Sequence, residues 1–358
     1  MPIFEVHPDI AQARTLAAEF YTSPQHFEAA KERIFAPSWQ YVGHMDELIE
    51  NGSALPITLL ENCLDEPLVL VRDAEARIRC LSNVCTHRGN ILVNSPCRVD
   101  KLRCRYHGRQ FRLDGRFASM PEFSGVKDFP SAADDLCELP LHQWGKLLFA
   151  GLERAPADAF PPMEQRMQWS PMDQLVFRPD LSTDHVVHAN WALYVENYLE
   201  GFHIPFVHPA LNAVLDFSDY TTELYSRSSL QLGIATKDEL CFDIPPGHPD
   251  HGKKVAAYYW WVFPNLMFNF YPWGLSLNIV QPQGVSLTKV SFLAFVRDES
   301  KLGKGAGAGL VQVEKEDEQV VEAVQRGIRS RHYTHGRYSV TREQGTHHFH
   351  RLIAAAMG

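Results

Sequence analysis

The chain has 358 residues, 45% hydrophobic and 22% charged, the make-up of a globular protein long enough for two domains and a large buried core. Its 34 basic and 43 acidic side chains leave a formal charge of -9, which offers no general attraction to phosphate backbones or anionic membranes, so neither nucleic acid nor a membrane is an expected partner. Seven cysteines, at positions 63, 80, 85, 97, 104, 137 and 241, are too few and too irregularly spaced for a disulfide framework.

In chain order, the opening "MPIFEVHPDIAQ" lacks the basic flank, apolar run and small-residue cleavage site of a secretion signal, and a cytoplasmic protein is expected. Residues 1–37 read as helical. Apolar positions recur in "IAQARTLAAEF" and again in "SPQHFEAAKERIF", where Ser23-Pro24 is a start signal. From Trp39 the pattern changes to short strands separated by turn residues: "SALPITLL", "EPLVLVRD", "RIRCLSNV", "KLRCRY" and "RQFRLDG". This predicts an all-β module over residues 38–155. Its last segment, "LPLHQWGKLLFAGL", is broken by His142, Lys146 and glycines, so it reads as a core strand and not as a membrane span.

The proline-rich "ERAPADAFPPMEQ" suits a domain boundary. Residues 156–358 then read as a strand at "HVVHANWALYV", a helical stretch around "VENYLEGFHIPFVHP", long strands from about Leu230 to Val296, and helices in "LVQVEKEDEQVVEAVQRGIRSRHY" and "TREQGTHHFHRLIAAAM". That order predicts an α+β domain with an antiparallel sheet and a long C-terminal helix, against which the N-terminal helices pack. The run "GKGAGAG" at 303–309 lacks the strand-to-helix context of a dinucleotide site and reads as a flexible loop.

Within the β-module, Cys85-x-His87 is followed, after sixteen intervening residues, by Cys104-x-x-His107. Structural zinc is one reading of two cysteines and two histidines, but zinc fingers usually pair like with like in each loop. Here each loop is mixed. Mixed loops suit a two-iron cluster in which one iron takes both cysteines and the other both histidines, which is Rieske ligation. The remaining cysteines, Cys63, Cys80, Cys97, Cys137 and Cys241, have no such partners and are expected to pack in cores.

At these residues the chain resembles the Rieske oxygenases, specifically their terminal oxygenase (α) subunits, because "NVCTHRGN" and "CRYHGRQFRLDG" match the family's cluster loops. The family's commonest loop continues with tryptophan after His-Gly, where this chain has Arg109. The resemblance implies a Rieske domain followed by a helix-grip (START-like) catalytic domain.

His203 and His208 in "NWALYVENYLEGFHIPFVHPAL" are five residues apart, about 140° on a straight helix and too far around to share a metal, though Pro205 between them would distort the turn. Two ordinary histidines remain the competing reading. By resemblance the stretch is the family's mononuclear iron motif, which implies that His203 and His208 bind ferrous iron with a distant carboxylate. That carboxylate is implied to be Asp317, with Glu316 as the second choice. On its own pattern, "EKEDE" is a solvated, charge-rich helix start.

Glu200, three before His203, is placed to accept a hydrogen bond from that imidazole's outer nitrogen. The resemblance implies that it bridges to a Rieske histidine of a neighbouring subunit, His107 by position. The family usually has aspartate there, and glutamate resembles the branch acting on carnitine-like substrates. Asn197 matches a family residue close to the iron, a helix-surface asparagine being the other reading.

What the resemblance implies is an oxygenase that activates O2 at a mononuclear Fe(II) with electrons from its [2Fe–2S] cluster. A homotrimer is implied too, and a separate NAD(P)H-dependent reductase, with or without a ferredoxin, since the chain carries no nicotinamide, flavin or plant-type ferredoxin motif. The aromatic run from Tyr258 to Trp273 is either sheet packing or, in part, a cage for a quaternary ammonium group. "FPNLMFNFYPWGLSLNIVQP" resembles the choline, betaine and carnitine oxygenases more than the naphthalene or biphenyl enzymes. The alternatives are an aromatic-ring dioxygenase, which shares all these ligands, and a Rieske electron carrier, which needs only Cys85, His87, Cys104 and His107.

Overall fold

The computed structural model describes residues 4–153, 155–214, 221–236 and 239–358. Residues 1–3 of the opening segment, Arg154 of the expected linker, and residues 237–238 of the stretch read as strands lie outside the described residues. The chain divides into two compact units, residues 36–155 and residues 1–35 together with 156–358.

In the first unit, β1 (Gln40–His44), β2 (Ser53–Leu59), β3 (Glu66–Arg72), β4 (Ile78–Ser82), β5 (Cys97–Arg98), β6 (Leu102–Arg103), β7 (Gln110–Phe111), β8 (Phe117–Ser119), β9 (Glu138–Leu139), β10 (Leu141–Trp144) and β11 (Leu147–Ala150) form small antiparallel sheets. Their orders are β5-β2-β3-β4-β9, β1-β11-β10 and β6-β7-β8. β3 is buried on both faces, which is why "LVLV" has no polar alternation. Its alternate side chains enter different cores: Val69 and Val71 meet Cys85, Cys104 and Phe111, while Leu68 and Leu70 meet Cys80 and Leu148.

Two expectations for this unit are corrected. "LPLHQWGKLLFAGL" is a hairpin of β10 and β11, because Gly145 adopts φ 57° and turns the chain. Cys97 and Cys137 are exposed, whereas Cys63 and Cys80 are buried and Cys241 is half-buried.

In the second unit, α1 (Ala18–Thr22) and α2 (Pro24–Ala30) precede α3 (Pro161–Met167), β12 (Val176–Phe177), β13 (Thr183–Val187), α4 (Trp191–Tyr198), α5 (Ile204–Val207) and α6 (Pro209–Val214). The strands β14 (Thr221–Leu224), β15 (Ser228–Ile234), β16 (Val255–Val262), β17 (Leu266–Tyr271), β18 (Gly274–Gly284) and β19 (Leu287–Val296) follow, then α7 (Leu310–Gly327) and α8 (Gln344–Met357). The sheet is antiparallel, in the order β12-β19-β18-β17-β16-β15-β14, with β13 also on β19. α4 packs on α7, α8 and β18. The N-terminal segment joins this unit through Phe35 against Trp191, with ring centroids 4.8 Å apart, and through Arg33 donating to the Met357 carbonyl. No helix among the described residues is long and apolar enough to cross a membrane.

"HVVHANWALYV" is not one strand. The strand ends at Val187, and the Asn190 side chain accepts from the Ala192 N–H (3.0 Å), so the apolar "WALYV" becomes the start of α4. "IAQARTLAAEF" is helical only from Ala18, because the backbone before it pairs with the distant Gly336 and Arg337. "GKGAGAG" contains a short 3-10 turn at Gly305–Gly307 whose Ala306 is buried beside Tyr271 and Trp273, so it is a packed wall and not a free loop.

Gly345 in the first turn of α8 lies so close to the end of α4 that a Cβ would sit 2.3 Å from the Leu199 carbonyl oxygen. Leu199 immediately precedes Glu200. Gly345→Ala is therefore expected to cost about 1–3 kcal/mol of stability through overpacking, measured by chemical denaturation. An unchanged midpoint would show that α8 can slide away from α4 freely.

Candidate metal centres and the cavity beside them

The two cluster loops have the same backbone. Cys85 N–H donates to Asn90 O (2.9 Å) and Gly89 N–H to Cys85 O (3.0 Å), while Cys104 N–H donates to Arg109 O (2.8 Å) and Gly108 N–H to Cys104 O (3.1 Å). Gly89 and Gly108 hold φ of 71° and 75°, a turn that glycine makes without strain. Two equivalent loops thus present one thiol and one imidazole each. Cys85 and Cys104 are buried and hydrogen-bonded to each other, and Asn90 Nδ2 donates to Cys104 Sγ at 3.6 Å. The rings of His87 and His107 lie 4.8 Å apart between centroids.

The donor set fits a Rieske cluster. His107 Nδ1 is buried with no hydrogen-bond partner among the described residues, an orphaned ring nitrogen that a metal would satisfy. Burial first, then the neighbouring His107 and Arg109, push the His87 imidazole below its ordinary range and keep it neutral, as a ligand must be.

In the second unit, α4 ends at Tyr198 and α5 begins at Ile204. His203 and His208 flank α5, so the straight-helix angle does not apply to them. Pro205 sits in the first turn of α5, where its missing N–H costs nothing, and the break falls before it. The two rings approach to 5.1 Å between centroids. Asp317 reaches them from α7, its Oδ1 lying 2.9 Å from His208 Nε2 and 3.5 Å from His203 Nε2. The three ligand atoms lie within 4.8 Å of one another, and a single metal ion fits among them.

Each imidazole is fixed from behind by a carboxylate. His203 Nδ1 is 2.7 Å from Glu200 Oε1, and His208 Nδ1 is 2.7 Å from Glu316 Oε2. Both Nε2 atoms therefore face Asp317, the arrangement in which an outer carboxylate sets the tautomer of a metal-binding histidine. Glu316 stands behind His208 and not among the three facing groups. Asn197 Nδ2 donates to Asp317 Oδ1 at 2.6 Å and orients that carboxylate. Burial works against charge on His208, but Asp317 and Glu316 outweigh it and hold its pKa above the ordinary range.

Beside this cluster opens a cavity of about 350 Å³. One ladder row crossing the sheet, Gln231, Tyr259, Asn269, Ser276 and Ala294, faces it. Of the aromatic run, Tyr259, Tyr271 and Trp273 line the cavity, with Tyr271 stacked on Trp273 at 5.4 Å, whereas the others, such as Trp260 and Phe268, are core. Phe292 and Tyr194 add further rings. Among the described residues the lining includes Glu200, Glu314 and Asp317 but no lysine or arginine.

Sequence reasoning missed Glu314. It accepts a hydrogen bond from the Tyr194 hydroxyl at 2.6 Å, and its place three residues before Asp317 on α7 is the periodic signal that could have found it. Burial first, and the charge of Asp317 second, push its pKa up to about 8.

Residues 38–130 match the Rieske [2Fe–2S] domain, and residues 172–358 match the ring hydroxylating alpha subunit (catalytic domain). The chain is 28% identical to choline monooxygenase of Arabidopsis thaliana, over 98% of this chain and 84% of that protein. It is 27% identical to the carnitine monooxygenase oxygenase subunit of Escherichia coli, over 96% and 94%. A solved quaternary ammonium Rieske monooxygenase superposes with a TM-score of 0.79 at 25% identity, over 99% of this chain and all of that one. Naphthalene 1,2-dioxygenase shares the fold, with a TM-score of 0.71 at 15% identity, over 96% and 92%.

Because Glu314 binds its proton more tightly in the folded chain, the stability it contributes is complete at low pH. It is lost as pH rises from the ordinary glutamate pKa of about 4.3 towards about 8. Glu314→Gln is expected to remove that loss in the metal-free protein. Melting temperatures of the two proteins should coincide near pH 4 and diverge towards pH 8, the variant standing higher; parallel curves would refute the assignment.

Proposed function

Since the chain belongs to the ring-hydroxylating α-subunit family of Rieske oxygenases, we propose that it is a terminal oxygenase that hydroxylates or demethylates a small cationic substrate, most simply a quaternary ammonium compound. The family's cofactors are a Rieske [2Fe–2S] cluster and a mononuclear Fe(II), with O2 as co-substrate. When bound, these metals supply reductive activation of O2 with electrons delivered singly by the cluster. Rieske oxygenases draw those electrons from a reductase or electron carrier. For this chain the proposed source is a separate NAD(P)H-dependent reductase, acting directly or through a ferredoxin, in the cytoplasm.

The chain's own residues take these roles. Cys85, His87, Cys104 and His107 hold the cluster, and His203, His208 and Asp317 hold the iron. Glu200 keeps the Nδ1 proton of His203 in place and aims Nε2 at the metal, while Asn197 does the same for the Asp317 carboxylate. The observation that carries the substrate class is the composition of the cavity wall: Tyr259, Tyr271 and Trp273 offer ring faces, Glu200, Glu314 and Asp317 offer carboxyl oxygens, and among the described lining residues there is no lysine or arginine to meet a substrate carboxylate.

Glu200 also has a second side. Phe202 and Phe206, 42% and 78% exposed, follow it in the same segment, and the Tyr106 ring, 59% exposed, lies tilted against His107 with centroids 3.7 Å apart. These apolar surfaces support a homotrimer in which His107 of one copy meets Glu200 of the next. Inter-subunit electron transfer is described for the quaternary ammonium Rieske monooxygenase that this chain resembles.

Purified protein is expected to hold about three irons and two sulfides per chain. His203→Ala should lose about one iron and abolish turnover while the visible bands of the cluster persist; normal turnover would show the mononuclear site to be misassigned. A choline- or betaine-type ligand should raise the melting temperature of the iron-loaded protein and benzoate should not. The reverse result would move the substrate class to aromatic acids.

A further inference from the structure

Arg109 is only 2% exposed, although its side chain is a guanidinium cation. Its Nη2 donates to Asp134 Oδ1 at 2.7 Å and to the Asp134 carbonyl at 3.1 Å. The guanidinium lies over three rings, at 5.1 Å from the centroid of Phe117, 5.5 Å from Phe129 and 5.6 Å from Phe111. Its Nε is buried with no hydrogen-bond partner among the described residues. The same residue belongs to the cluster loop, because its carbonyl accepts the N–H of Cys104.

A side chain needed only to fill this aromatic space would be better apolar, since burying a cation with one partner and an unmet donor carries a desolvation penalty. The pair is also lopsided. Asp134 is 20% exposed and partly screened by water, while Arg109 is not, so the cation outweighs the anion in the field inside the module.

We propose that Arg109, clamped by Asp134 and ringed by Phe111, Phe117 and Phe129, is a positioning residue that raises the reduction potential of the Rieske cluster. The cluster gains one negative charge on accepting an electron from the reductase, and a fixed buried cation stabilises that state. A unit charge about 10 Å away at an effective dielectric of about 20 changes a one-electron equilibrium about tenfold. Tenfold corresponds to about 59 mV.

The inference rests on the cluster assignment, so the test is a potentiometric titration of the holoprotein followed by visible and electron paramagnetic resonance spectra. Arg109→Met should lower the potential by about that tenfold shift, Arg109→Lys should largely restore it, and Asp134→Asn should raise it. If Arg109→Met keeps the cluster bands and the wild-type potential, even with a lower melting temperature, the residue is structural and the inference fails while the cluster assignment stands. If Arg109→Met loses its cluster, Asp134→Asn decides, an upward shift supporting the inference and an unchanged potential overturning it. A wild-type protein without cluster bands overturns both.

Discussion

The contact between the Asp317 carboxylate and the facing nitrogens of His203 and His208 is the constraint around which the catalytic unit is arranged. It joins residues 109 positions apart in sequence, so α7 must lie against α4 and the break before α5. It also concentrates acid. Glu200, Glu314, Glu316 and Asp317 stand around two imidazoles, a surplus of negative charge that protons on His208 and Glu314 relieve only partly. Asp317, His203 and His208 would hold a divalent cation there, whose charge would balance that surplus and displace the protons these groups otherwise retain.

The sheet behind this cluster divides its labour by face. Alternation along β16 and β17 sends Trp260 and Phe268 into the core and leaves Tyr259, Asn269 and Tyr271 towards the cavity. Several polar groups on that inner face satisfy one another: the Tyr198 hydroxyl donates to Asn269 Oδ1, Asn269 Nδ2 donates to the Ser276 carbonyl, and Ser276 Oγ donates to Asn278 Oδ1. The floor of the cavity is therefore rigid as well as polar. Above it, the glycine-rich turn at Gly305–Gly307 fits against Tyr271 and Trp273, where larger residues would collide with the indole. A run that looks like a spacer in one dimension forms a wall in three.

Legibility in the sequence follows how local each feature is. The cluster loops were readable because all four ligands sit in two short segments whose mixed pairing has one natural metal. The strand pattern of residues 38–155 was readable for the same reason, except where a single glycine, Gly145, folds one apparent strand into two. The iron site was harder. His203 and His208 violate helical spacing because the helix stops between Tyr198 and Ile204, and nothing local in "EKEDE" separates a ligand from a solvated carboxylate; only the family resemblance pointed to Asp317. Glu314 escaped notice because α7 reads as a charged surface until its inward stripe of 314, 317 and 321 is known. At "HANWALYV", strand propensity lost to the Asn190 cap, and at "IAQARTLAAEF", helix propensity lost to pairing with Gly336 and Arg337.

The cluster module has a polarity of its own. Cys85 and Cys104 are buried over the apolar residues of β3 and beside the Arg109 cage, while His87 and His107 lie towards the surface. One edge is dry and carries fixed positive charge; the other is reachable. A cluster held by these four residues would have its histidine side at the reachable edge, where the Tyr106 ring beside His107 is also exposed. The same logic explains why Glu200 is backed by exposed Phe202 and Phe206: large apolar side chains left open to water are costly to maintain in isolation and are relieved when another surface covers them. In the proposed assembly, copies of the same chain would cover both edges, and one hydrogen-bonded carboxylate would then orient His203 within its own chain and receive the imidazole of the next.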